Sequence, residues 1–247
     1  MKKILVSLVI LSMMLPMSAF AKDIEMDPTS VGLWGQDEFE DFITEFGTAL
    51  SFVPMSPAET LGVAGFEIAA EVAVTNVNHD QNYWKFMVDD NDMVSYLPIP
   101  RIHVQKGLPF NMDVGGMYVM LPGTNIEAWG LEVKKAIVKG DMAMPAVSVR
   151  GSYMRLIGVD DIGLRSYSAD LLVSKGFLIF TPYGGISAMR VDGSDKSGLA
   201  TGFTDVHEDV IRWLAGLQVA PFPFLVINGE VVFGDVDQFG LKAGIRF

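Results

Sequence analysis

The last nine residues alternate strictly. Phe239, Leu241, Ala243, Ile245 and Phe247 take the odd positions, and Gly240, Lys242, Gly244 and Arg246 the even ones. Side chains alternate across a strand, so this segment has one wholly apolar face and one of glycines and cations. The same pattern recurs upstream. Phe66, Ile68, Ala70, Val72 and Val74 oppose Glu67 and Glu71. Val147, Val149 and Tyr153 oppose Ser148, Arg150 and Ser152, and Tyr167, Ala169, Leu171 and Val173 oppose Ser168, Asp170 and Ser174. Ile211, Trp213, Ala215, Leu217 and Val219 oppose Arg212, Gly216 and Gln218. Leu225, Ile227, Gly229, Val231 and Phe233 oppose Asn228 and Glu230. Less regular alternation runs over Arg101–Lys106, Asp113–Leu121, Trp129–Val138 and Phe177–Ala188. Lys135 falls on an apolar face, where its amine must snorkel to an interface. Pro182 interrupts the last of these four and leaves its faces unassigned.

Apolar-out, polar-in alternation is the pattern of strands with one face in lipid and the other on a polar lumen. The ten segments predict an all-β, transmembrane, antiparallel up-and-down barrel of about ten strands over residues 59–247, with eight or twelve as the nearest alternatives. If the last strand ends in the periplasm, Lys106–Asn111, Lys139–Met144, Ser174–Gly176 and Ala220–Pro223 become periplasmic turns. Asn76–Pro98 and Val191–Asp209 then become the long outer loops, the asymmetry expected of such barrels.

Ahead of the barrel the period changes. Phe39, Phe42, Ile43, Phe46 and Leu50 recur at helical spacing among Asp37, Glu38, Glu40, Asp41 and Glu45. This predicts a short amphipathic helix over about 37–50, with Asp37 as candidate N-cap. Such a helix plugs the lumen, lies on the periplasmic membrane face or covers the barrel mouth; the pattern leaves the three open. Residues 22–58 are accordingly read as an N-terminal periplasmic or plug segment.

Residues 1–21 read as a signal peptide. Lys2 and Lys3 precede an apolar run from Ile4 to Leu15, and Ser18-Ala19-Phe20-Ala21 supplies small residues where a signal peptidase reads. The run is shorter than the roughly 20 residues a spanning helix needs. The chain has no cysteine, which excludes disulfides, thiolate metal sites and lipid attachment through an N-terminal Cys. Its net charge of −12 becomes more negative once Lys2 and Lys3 are removed. That balance gives nucleic acid no basic patch to bind. No cofactor or metal is expected.

The face assignment places Glu67, Glu71, Asp113, Glu132, Asp170 and Glu230 in the lumen, with Arg101, Lys134, Arg150, Arg212, Lys242, Arg246 and His103. Barrels of about eight strands are filled by side chains, and open channels belong to 16–18 strands. Two readings follow: a salt-bridge network that closes the lumen, and a constricted path lined by the same groups. The outer loops are acidic: Asp80, Asp89, Asp90, Asp92, Asp160, Asp161, Asp192, Asp195, Asp205, Glu208, Asp209, Asp235 and Asp237. Solvated loops and divalent-cation contacts to lipopolysaccharide both fit them, although no stretch has calcium-loop spacing. Tyr83, Trp84, Phe86, Tyr96, Trp129, Tyr153, Trp213, Phe222, Phe224 and Phe233 fall near predicted strand ends and read as interfacial girdles.

Catalysis has few candidates. His103 is followed by Val104 and Gln105, so the His-x-Ser pair of outer-membrane deacylases is missing. His207, Asp205, Asp160 and Asp161 have no specific spacing for an aspartate–histidine protease. No catalytic residue is assigned.

The terminal residues Phe239, Leu241, Ala243, Ile245 and Phe247 resemble the sorting signal of Gram-negative outer-membrane β-barrel proteins. That resemblance implies periplasmic chaperones and the barrel-assembly machinery as partners in biogenesis, and the cell outer membrane, with its lipid and lipopolysaccharide, as destination. The segment from Phe39 onward loosely resembles the N-terminal hatch of long-chain fatty-acid transporters, whose barrels are larger and carry an Asn-Pro-Ala motif lacking here. The expectation is a monomeric, porin-like barrel: a narrow channel or carrier for small or hydrophobic solutes. The alternatives are a closed barrel that displays loops to partners and a barrel hydrolase.

Overall fold

The computed structural model describes residues 34–78, 80, 81, 83, 84, 95–199 and 202–247. The signal segment, Phe86, Asp89, Asp90 and Asp92 lie outside the described residues. Among these residues one helix, α1 (Gln36–Leu50), precedes ten strands: β1 (Phe66–Asn76), β2 (Tyr96–Leu108), β3 (Met112–Met120), β4 (Glu127–Lys139), β5 (Ala146–Ile157), β6 (Ile162–Ser174), β7 (Phe180–Asp195), β8 (Val206–Phe222), β9 (Leu225–Phe233) and β10 (Gln238–Arg246). Every sequential pair is antiparallel, and β10 returns to β1 to close the barrel. The seam runs from Glu67 opposite Arg246 to Thr75 opposite Gln238. Phe247 extends it, exchanging backbone hydrogen bonds of 2.8 and 3.0 Å with Phe66. Closure gives every strand a paired neighbour on each side, which a barrel in hydrocarbon requires because lipid offers backbone groups no partner.

At one end, the turn end, neighbouring strands are joined by residues 109–111, 140–145, 175–179 and 223–224. At the other, the loop end, residues 77–95 and 196–205 form the longest connections. The second is shorter than the Val191–Asp209 loop expected from sequence, because β7 and β8 stay paired to Gly193–Val206. Their outward side chains there are charged, with Arg190 Nε and Nη2 each donating to Asp209 at 2.8 Å. The alternation there is inverted, apolar inward at Val191 and Val206 and charged outward, the reverse of the lipid-facing pattern. Lys135 lies beside the β2–β3 turn, its Nζ donating to Phe110 O at 3.1 Å. In β7, Thr181 and Tyr183 point inward and Pro182 outward, which settles the faces the proline obscured.

The outward faces keep large apolar side chains exposed all around. Ile68, Ile102, Leu131, Val149, Leu171, Trp213, Ile227 and Leu241, from eight of the ten strands, are each 39–62 % accessible. Water-soluble monomers seldom expose contiguous apolar patches beyond a few hundred Å²; this belt encircles the molecule and is built for hydrocarbon.

Inside, the loop-end half is largely apolar, with Thr75 and Gln238 as buried polar exceptions. Phe39, Phe42, Ile43, Phe46 and Leu50 of α1 are fully buried against wall residues including Ile99, Val119, Met154, Leu164 and Val191. Each buried Phe or Leu contributes about 1.5–3 kcal/mol relative to exposure. The helix therefore lies within the lumen. It begins one residue before the candidate cap Asp37: Gly35 precedes it, its N–H donating to Glu38 Oε2 at 2.8 Å.

Candidate functional site

The N-terminal segment crosses the whole lumen. At the loop end Gln36 exchanges hydrogen bonds with the backbone of Thr204 at 3.0 and 3.4 Å, and Phe39 stacks on Phe203 with centroids 4.7 Å apart. Ile43 sits on Gly193 and Gly47 on Val191. After Leu50 the chain becomes an extended strap that descends to the turn end. There Gly62 adopts φ +76°, and the Gly107 N–H donates to Gly65 O at 3.0 Å. A Cβ on Gly107 would lie 1.8 Å from Gly62 O, so only glycine permits this approach. Residues 59–61 continue half-buried beside the wall, and 62–64 are exposed at the turn end.

The strap has no regular secondary structure, and its backbone polar groups are met by side chains of the wall. Arg101 Nη1 donates to Ser51 O at 2.8 Å, and Arg212 reaches Ser51 Oγ at 3.0 Å and Phe52 O at 3.4 Å. The Met55 N–H donates to Glu230 Oε2 at 2.8 Å, and the Ala58 N–H to Ser174 Oγ at 3.0 Å. Lys134 Nζ donates to Pro57 O and Glu59 O, while the Leu61 N–H donates to Asp113. A buried backbone group left unpaired would cost about 1–3 kcal/mol, so these wall residues make the strap's course possible.

Between the strap and the wall runs a charge network. Glu67 accepts from Lys242 at 2.8 Å and Arg246 at 2.7 Å. His103 stands between two carboxylates, its Nδ1 3.1 Å from Glu71 and its Nε2 3.1 Å from Glu132. Arg150 joins Glu132 at 3.0 Å to Asp170 at 2.5 Å, and Lys134 meets Asp113 at 3.2 Å. All thirteen lumen candidates point inward; twelve are buried, and Arg246 is half-buried at the turn end. They do not form one set of ion pairs. Arg212 and Glu230 have no salt-bridge partner within 4 Å among the described residues and serve the strap instead. Arg212 is completed by Ser187 Oγ at 3.1 Å and Gln238 Oε1 at 3.4 Å.

A second cluster holds the helix and was not legible from spacing. Glu45 accepts from the Asn78 N–H, from Tyr83 Oη at 3.3 Å and from Trp84 Nε1. Tyr83 and Trp84 are 2 % and 3 % accessible and pack on Phe42. This corrects their assignment to an interfacial girdle: Tyr83 and Trp84 pack inward on the helix and join the plug. Trp213, Phe222 and Phe233 do remain exposed on the outer face. Burial raises the Glu45 carboxyl above the ordinary 4.5, and the three hydrogen bonds oppose that rise. The histidines separate. His103 is in the lumen, whereas His207 is on the outer wall, its Nδ1 2.7 Å from Asp192. No cluster of three or more metal-ligating side chains occurs among the described residues.

These features define a closed ten-stranded barrel with an apolar exterior and an internal plug. No family model matches the chain, and no curated protein does. Among solved structures it is similar to an outer-membrane channel from Pseudomonas putida F1, at 9 % identity and TM-score 0.49 over 80 % of this chain and 100 % of that one. It is also similar to the KdgM porin, at 9 % and 0.38 over 73 % and 99 %. The attachment invasion protein Ail of Yersinia pestis gives 14 % and 0.31 over 74 % and 98 %. Likenesses this distant do not bear on activity.

Proposed function

We propose that the chain is an outer-membrane barrel that carries hydrophobic solutes and is held shut by its own N-terminal segment. The exposed apolar belt supports the membrane placement, and the terminal Phe247 pattern favours the outer membrane. One observation carries the rest: the loop-end half of the inner wall is largely apolar, and what covers it is an amphipathic helix rather than the strands themselves. A water-filled pore has a polar lining. A wall of Ile99, Val119, Met154, Leu164 and Val191 suits an alkyl or aromatic solute once α1 moves aside. The charged half below, threaded by the strap, keeps ions from leaking. The competing reading, a permanently closed barrel, draws on the completeness of this filling.

A removable lock separates the two. The natural chain has no cysteine, so Ile43→Cys with Gly193→Cys introduces a unique pair where helix and wall touch. In vesicles, uptake of a fluorescent dodecanoate should stop on oxidation and return on reduction. Uptake equal in both states, or no uptake above empty vesicles in either, would defeat the carrier reading.

A further inference from the structure

The wall at the loop end of β5–β8 carries a cleft of about 250 Å³, lined mainly by outward side chains. Across these strands Arg155 faces Arg165, Arg165 faces Asp192, and Asp192 faces His207. These outward side chains form one row. Directly below lies the row of Tyr153 and Tyr167, whose rings meet at 5.2 Å, and below that the apolar belt with Leu171 and Trp213. The cleft is therefore at the height where hydrocarbon gives way to headgroups, marked by tyrosines as such interfaces are.

Two arginines directly opposite on adjacent strands repel, and this chain has only 18 basic residues against 30 acidic. Asp192 neutralises part of the pair, 3.4 Å from Arg165 Nε. Neither Arg155 nor Lys196 has a carboxylate partner within 4 Å among the described residues. Gly163 leaves the floor of the cleft open: a Cβ there would fall 2.9 Å from Lys196 Nζ, so the amine lies across the space that a side chain would occupy. Three cations thus converge on one recess, with a surplus of positive charge over Asp192 and Asp205 at its rim.

We propose that this cleft binds the phosphate of an anionic glycolipid of the surrounding leaflet. The phosphate lies between Arg155, Arg165 and Lys196, and the acyl chains run down past Tyr153 and Tyr167 onto the apolar belt. Guanidinium groups suit the task, since their planar donor fork matches phosphate oxygens. The inference rests on the outer-membrane placement and is independent of whether the plug moves.

The test is binding to the full-length mature protein in neutral detergent, followed by native mass spectrometry and titration. The probes are bis-phosphorylated lipid A, its dephosphorylated form and inorganic phosphate. Lipid A should bind at least tenfold more tightly than the dephosphorylated lipid. Arg155→Gln with Lys196→Gln should weaken it about tenfold, and Asp192→Asn, which frees Arg165, should strengthen it. Retained heat-modifiable gel mobility verifies that each variant is folded. Equal affinity for the two lipids, or no change in either variant, would overturn the proposal. Inorganic phosphate competing at equal concentration would overturn the lipid as its source. Loss of dodecanoate carriage with lipid binding intact leaves this site standing, and the reverse result leaves the carrier reading standing.

Discussion

Ile43 packs onto Gly193 with no room between them: a Cβ at Gly193 would lie 2.4 Å from Ile43 Cγ2. The wall residue that seats the helix is thus defined by the side chain it lacks. Gly193→Val should leave the barrel closed at its seam but displace α1. The expected readout is protease cleavage within residues 34–50 at several times the wild-type rate, with faster dodecanoate uptake. A wild-type cleavage rate would show that the contact yields without moving the helix.

The ion network should be intolerant of single deletions. Glu132 contacts both His103 and Arg150, and Glu132→Ala leaves each with one buried carboxylate, Glu71 and Asp170, in place of two. Breaking a buried pair from one side costs about 3–5 kcal/mol. Urea unfolding of vesicle-inserted protein should fall by that amount. A loss below about 1 kcal/mol would mean that the network is effectively exposed to water.

Glu45 makes plug seating pH-dependent. Its folded carboxyl lies above 4.5 because of burial, so the docked state binds the proton more tightly than the released one. The cost of docking it ionised is absent below pH 4.5 and grows as pH rises through the folded value. Protection of the plug from protease should therefore improve on acidification, and Glu45→Gln should flatten that dependence. A profile unchanged by the substitution would assign the effect elsewhere.

The belt itself can be tested by charge. Leu171 is outward and exposed amid apolar neighbours, and Leu178 is fully exposed on the β6–β7 turn. Leu171→Arg should destabilise the inserted barrel by about 2–4 kcal/mol, and Leu178→Arg by about 0–1 kcal/mol. Equal small effects would place Leu171 in water.

What could be read from the chain alone follows from period. In Phe239–Phe247, Phe66–Val74 and Ile211–Val219, each side chain's environment is set by its parity, so strand identity and inward face were written locally. So were the order and pairing, since short turns such as residues 223–224 leave the next strand no neighbour but the last. Even the amphipathic helix was evident from Phe39, Phe42, Ile43, Phe46 and Leu50. Its address was not: an apolar stripe specifies that it will be covered and not by which surface. Only the closed barrel, with Gly193 and Gly47 bringing helix and wall into contact, decided that it lies in the lumen. Tyr83 and Trp84 were misread for the same reason, because an aromatic near a strand end suits an interface as well as a plug. The strap from Ser51 to Gly65 has no period at all. Its path exists because Arg101, Arg212, Glu230 and Lys134 arrive from four strands to meet its backbone, a convergence that only tertiary structure creates.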